Sequence, residues 1–314
     1  MSKNRLLLKL NPIFWSLAIF IIAQALTFAT VWRQGSYFDE QNIYVPTQPP
    51  EIISVWPGEV TQPNGTVVNV PLYSSLGTII IYFFIVVVIT SLILYFLPLR
   101  LLNKLMRVLF AVLFGWGAFI VLVIWLPMIL SLALAIAVGL GWLLYPRVWL
   151  HNAVMVLAMV SLASVFGRFI SPWTAVALLA ALAVYDLLAV RFGFMLWLAS
   201  KLSNSSAMPA FVFPRQGRGW SSGLKEASFS HTDETKSGER RFSILGGGDI
   251  AFPLLVSASA FFAYNLKSAT IIAIFGLVGL LMAYVIQMLI LKGKPMPALP
   301  PIAVACALGL LLIG

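Results

Sequence analysis

Residues 172–190 read PWTAVALLAALAVYDLLAV, an apolar run that opens on Pro172, holds one carboxylate, Asp186, and is followed by Arg191. About 20 mainly apolar residues cross the hydrocarbon core of a bilayer as a helix, and only structures that satisfy their own backbone survive there. Proline suits the first position of such a helix, where an N–H has no acceptor in any case. The run therefore predicts a transmembrane helix with an acid inside it. Working outward, similar runs recur at 14–32, 78–97, 108–126, 127–145, 152–170, 248–266, 269–291 and 298–314. Together they predict an all-α, polytopic transmembrane helical bundle of about nine spans. The first span is long, and no small-residue cleavage site follows it, so it reads as a retained span.

Composition points the same way. Of the 314 residues, 61% are hydrophobic and 10% charged, against about 25% charged in a soluble domain. So few charges cannot cover a water-facing surface, and much of the exterior must face lipid. A net charge of +10 would point to nucleic acid in a soluble protein. Here the basic residues mark one side of the membrane instead, and no nucleic-acid partner is expected. All but three of the 20 Lys and Arg residues, namely Arg33, Arg168 and Lys267, fall in segments that share a side if the N-terminus is inside. That asymmetry predicts an N-in, C-out chain with an odd number of spans. The single cysteine, Cys306, excludes a disulfide framework, and His151 and His231 lie far apart, so neither a metal nor another cofactor is expected.

Two hydrophilic segments are long. Residues 33–76 contain Asp39, Glu40, Glu51 and Glu59 and read as an outer loop. Residues 203–241 are rich in Ser, Gly and charge, with an apolar island from Met208 to Pro214, and 217–241 reads as a flexible cytoplasmic linker. The expected organisation is a six-span block over 1–202, the cytoplasmic loop over 203–241 and a three-span block over 242–314. Asn64-Gly-Thr66 and Asn204-Ser-Ser206 match the glycosylation pattern, which short stretches often match by chance.

Of the ten acidic residues, eight lie in these two loops. Asp186 and Asp249 alone fall inside apolar spans. A carboxylate at membrane depth costs roughly 2.5–3.5 kcal/mol even on a mild scale, and no basic residue lies nearby at that depth, so a function must retain them. Asp186 lies five residues before Arg191, and Asp249 eight residues after Arg241. At 1.5 Å per residue both sit about 7–12 Å from the cytoplasmic end of antiparallel spans. At matched depth the two can meet. Two carboxyls in a poorly solvated site cannot easily both ionise, so they share a proton, as aspartic proteolysis requires. Paired acids also serve proton- or cation-coupled transport, and the carboxyls alone leave that alternative open.

Three motifs surround the acids. Asp186 stands in Ala183-Val-Tyr-Asp-Leu-Leu-Ala-Val190, Asp249 in Gly246-Gly-Gly-Asp-Ile-Ala-Phe-Pro253, and Pro295-Met-Pro-Ala-Leu-Pro-Pro301 opens the last span. The glycines bare the backbone to close approach. Pro253 cannot donate to the Asp249 carbonyl. Pro295, Pro297, Pro300 and Pro301 predict extended backbone before the last helix.

Tyr-Asp, Gly-x-Gly-Asp and Pro-Ala-Leu in this order resemble the presenilin and signal peptide peptidase family of intramembrane aspartyl proteases, across all nine spans. The resemblance implies Asp186 and Asp249 as catalytic dyad, with Pro297, Ala298 and Leu299 shaping the site or holding substrate. Tyr185, Gly246 and Gly248 match motif positions. The N-in orientation and Tyr-Asp-Leu-Leu-Ala-Val are presenilin-like, whereas Gly-Asp-Ile followed by Pro253 leans toward the peptidase branch. Prepilin peptidases share Gly-x-Gly-Asp but lack Pro-Ala-Leu. Compactness and short termini look like a microbial, archaeal-type homologue, expected in the cell membrane and acting on transmembrane protein substrates without accessory subunits. The sequence leaves the oligomeric state open.

Overall fold

The computed structural model describes residues 3–40, 56–61, 67–70, 75–96, 99–191, 208–215, 217–229, 241–290 and 297–313. It is mostly helical, as the apolar runs require. In chain order the helices are α1 (Lys3–Glu40), α2 (Leu76–Phe96), α3 (Leu99–Val123), α4 (Met128–Leu144), α5 (Val148–Phe169), α6 (Pro172–Arg191), α7 (Leu224–Phe229), α8 (Gly248–Ala263), α9 (Leu266–Leu289) and α10 (Leu299–Leu311). Four short strands join them: β1 (Gly58–Thr61), β2 (Val67–Val70), β3 (Ala210–Pro214) and β4 (Phe242–Gly246). Five helices contain stretches long and apolar enough to cross a membrane: Asn11–Phe38, Asn103–Val123, Val148–Phe169, Pro172–Arg191 and Leu266–Leu289. Large apolar side chains such as Phe96, Trp116, Ile129 and Leu144 lie on the outside, as lipid contact demands. Hydroxyls turn inward and return their protons to the backbone, as Thr27 does to Ala23 O and Ser161 to Ala158 O.

Several boundaries differ from expectation. Helix α1 runs on through residues 33–40, read from sequence as loop, where no proline interrupts the backbone bonds. Residues 33–76 also hold a hairpin, β1 paired antiparallel with β2. Helices α8 and α10 have 16 and 13 residues, shorter than the runs that announced them. Pro300 and Pro301 are not extended backbone before the last helix; they form its first turn, where their missing N–H groups cost nothing. Pro295 lies outside the described residues.

The chain divides into two compact units that interleave along the sequence. Met1–Gln34, Pro98–Ser161 and Ala189–Ala251 form one; Gly35–Leu97, Leu162–Leu188 and Phe252–Gly314 form the other.

In the first unit, α3 and α4 pack closely at small residues: a Cβ on Gly139 would stand 2.7 Å from the Ala111 carbonyl oxygen. Phe114 and Trp142 meet edge to face at 5.0 Å between ring centroids, beside the buried His151. Here part of the stretch read as loop and linker carries regular structure, while residues 230–240 lie outside the described residues. Strand β3 pairs antiparallel with β4, from Ala210 opposite Gly246 to Pro214 opposite Phe242. A 3₁₀ turn (Gly217–Ser221) and α7 connect onward from β3 and dock on the start of α5, where Val148 N–H bonds Ser222 O and Leu224 N–H bonds Pro146 O. Helix α1 holds the same segment through Asn11, which donates to Arg215 O at 2.9 Å, and through Trp15 against Trp220. An apolar strand with all five residues buried and an interior Leu224 give the segment a core that its polar composition conceals.

In the second unit α9 and α10 approach at Gly279, whose Cβ would lie 2.7 Å from Ile302 Cα. The C-terminal part of α5 meets α8 at Gly167 and Ala258, and the Ser259 hydroxyl donates to Ile170 O. The Arg168 guanidinium lies over the rings of Phe38 and Phe262.

Candidate active site

The second unit holds Asp186, in the last two turns of α6. Its side chain is 7% exposed and is, among the described residues, the one buried carboxylate. The backbone N–H of Leu299 is directed at that carboxyl. The local sequence makes this donor singular. Leu299 is the first residue of α10, and the next two, Pro300 and Pro301, have no N–H. Of the three leading helix positions only Leu299 offers a donor, and the positive end of the helix dipole adds to its pull on an anion. Tyr185 is half-buried beside Asp186, and Pro297 and Ala298 are half-buried immediately before the helix. The structure thus brings the Tyr-Asp and Pro-Ala-Leu motifs together at Leu299.

The first unit holds Asp249, in the first turn of α8 and half-buried. The helix begins at Gly248, so this acid stands at a helix N-terminus rather than within a continuous span. A carboxylate is well placed there, at the positive end of the helix dipole. Pro253 lies inside α8 and supplies no N–H to the Asp249 carbonyl. A Cβ on Gly246 would stand 3.1 Å from Asp249 Oδ2, so the first glycine of the motif leaves room for the carboxyl itself. Gly248 starts the helix.

Gly247 is the residue that sequence reasoning passed over. Its N–H bonds Pro209 O at 2.9 Å, and a Cβ would meet that same oxygen at 2.9 Å and Met155 Cε at 3.0 Å. The turn from β4 into α8 is therefore seated against β3 and α5 with no space for a side chain. Asn152 drew no notice in the sequence, and His151 was read there only as a poor metal ligand. His151 Nε2 lies 2.9 Å from Ala210 O, and both polar atoms of the Asn152 side chain bond Val212.

The arrangement of β4 follows from these bonds. Val212 spends its N–H and C=O on Asn152, so Phe211 and Phe213 face β4 with theirs, by strand alternation. Arg215 N–H to Arg241 O and Gly247 N–H to Pro209 O continue the same alternation. Phe242, Ile244 and Gly246 then turn their backbone groups away from β3. Among the described residues the sheet has two strands, so no further strand pairs with this edge of β4. It leads straight into Asp249.

The apolar helices, five of them long enough to cross a bilayer, define the class first: a polytopic helical membrane protein. A model of the family described as signal-peptide peptidase, presenilin aspartyl protease matches residues 59–314. The chain belongs to that family, and it is an aspartyl intramembrane protease. Two solved structures of a presenilin family intramembrane aspartate protease, in C222 and P2 space groups, resemble the fold. They have 18% and 20% identity and TM-scores of 0.55 and 0.54, with 96% of this chain and 96% of each matched chain covered. No curated protein sequence matches the chain.

Proposed function

We propose that the chain cuts single-span helical membrane proteins, with Asp186 and Asp249 as its catalytic dyad, near the cytoplasmic side of the bilayer. The observation that carries the reading is the buried Asp186 carboxyl facing the one available N–H of the Pro-Ala-Leu helix start. Membership in an aspartyl protease family supplies the chemistry and displaces the transporter alternative.

In the proposed reaction one carboxylate takes a proton from water as the water oxygen attacks the peptide carbonyl carbon. The other, protonated, carboxyl donates to the carbonyl oxygen. Collapse of the tetrahedral adduct breaks the C–N bond, and a proton passes to the leaving nitrogen. An intact substrate helix hides its carbonyls in i to i+4 bonds, so it must unwind first. The open edge of β4 offers N–H and C=O groups at Phe242, Ile244 and Gly246 for an extended segment, the strand-addition mode of recognition. Those donors and acceptors would replace the ones the helix gives up, next to Asp249.

Nine spans with the N-terminus inside would set both acids at the cytoplasmic end, where water can reach them. The proposed setting is a microbial cell membrane, with the enzyme acting without accessory subunits. Cleavage of a tagged single-span substrate by purified protein tests the reading. Loss of all products in both Asp186→Ala and Asp249→Ala is expected, and unchanged products from either would remove that residue from the dyad.

A further inference from the structure

We propose that Asn152, supported by His151, is a positioning residue for proteolysis: its side-chain amide fixes the register of β3, and through β3 that of β4 and Asp249. The inference rests on the assignment of Asp249 to the reaction. Asn152 donates from Nδ2 to Val212 O at 2.7 Å and accepts at Oδ1 from Val212 N–H at 3.0 Å. That is the pair of bonds a neighbouring strand residue would supply. One side chain of α5 therefore closes the outer edge of β3 and leaves β4 as the edge open to another chain. His151 repeats the contact two strand residues away, at Ala210 O. Its Nδ1 accepts from the Trp142 indole N–H at 3.2 Å, and an indole N–H only donates. Nε2 must then carry the proton that goes to Ala210 O. Both side chains are buried, so each polar atom has to be matched.

The clamp is specific for register. Backbone groups alternate sides along a strand, so a slip of one residue would set Phe211 or Phe213 beside Asn152 with their N–H and C=O pointing away from α5, and orphan the amide. The same slip in β4 would move Gly246 to Asp249 by about 3.3 Å. Gly247 locks the far end, bonded to Pro209 O and packed on Met155 and Met159 of α5. A reacting carboxyl tolerates displacement of only about 1 Å before the rate falls by about 10²-fold. A strand edge that receives substrate also decides which peptide bond reaches the acid.

A merely structural pair would affect stability alone, so the test reads product identity. The probe is a Leu/Ala single-span helix with a central glycine pair, tagged at both ends and cut by purified full-length protein in lipid vesicles. Expected for Asn152→Ala is a kcat lower by about 10–10²-fold, with cuts spread over neighbouring bonds where wild type gives a narrow set. Gly139→Ala serves as the control for destabilisation away from β3, because its Cβ would press on Ala111 O. It should lower the melting temperature and keep the wild-type cuts. If Asn152→Ala does not fold, Asn152→Asp is read instead: it keeps the acceptor and sets an oxygen against Val212 O. Wild-type kcat and products from the folded variant would overturn the proposal, as would the same spread of cuts in Gly139→Ala. Products persisting in Asp186→Ala and Asp249→Ala would strike the dyad instead, a separate result.

Discussion

At the residue scale, the proposed dyad rests on small allowances around two carboxyls. Asp186 faces one backbone N–H because Leu299 is followed by two prolines. An amide-to-ester replacement at Leu299 removes that donor and keeps the side chain. Single-turnover cleavage is expected to fall by about 10–10²-fold, in line with the ~1.5–3 kcal/mol of a hydrogen bond to a charged group; an unchanged rate would show that the contact is idle. Gly246→Ala places a methyl group 3.1 Å from Asp249 Oδ2. The carboxyl must move by a few tenths of an ångström, and kcat should drop while the melting temperature stays within a few degrees. Both acids stand out in the sequence, since charge inside apolar runs is rare, and their part in the reaction is what the two alanine variants test. The Leu299 contact was foreshadowed only by resemblance, because its partner is more than a hundred residues away in the chain. His151 and Asn152 stayed hidden for the same reason: their strand partners lie 59 and 60 residues on.

At the scale of elements, helices were read well and strands poorly. Long apolar runs declare helices by length alone, whereas the five apolar residues of β3 fit a strand or a buried helix turn equally. Its pairing with β4 spans a polar segment, so composition alone made 217–241 a linker. Boundaries moved where a functional residue took over the end of an element. Helix α8 starts at Gly248 because β4 and the Gly247 turn occupy the preceding positions. Gly279→Ala tests how far α10 depends on α9. The new Cβ, 2.7 Å from Ile302 Cα, must push the helix that carries Leu299. A cost of about 1–3 kcal/mol in stability is expected from such overpacking, together with reduced activity. Full activity at normal stability would mean the helices part without moving Leu299.

At the scale of the whole molecule, family and polytopic helical fold were both legible, the first from three motifs in order and the second from hydropathy. Orientation is the claim still open to direct measurement. With Cys306→Ala as background, single cysteines at Glu59 and Lys225, both exposed, should react with a membrane-impermeant maleimide from opposite sides. Labelling of Glu59→Cys on intact cells, and of Lys225→Cys only after the inner face is opened, is expected for an N-in chain. The reverse pattern would invert it and place the acids at the outer end. The decisive measurement remains cleavage of a tagged single-span substrate by purified wild-type protein beside Asp186→Ala and Asp249→Ala, with mass spectrometry of the fragments. The dyad predicts defined fragments from wild type and a loss of at least about 10²-fold in each variant. Fragments of the same mass and yield from either folded variant would contradict it.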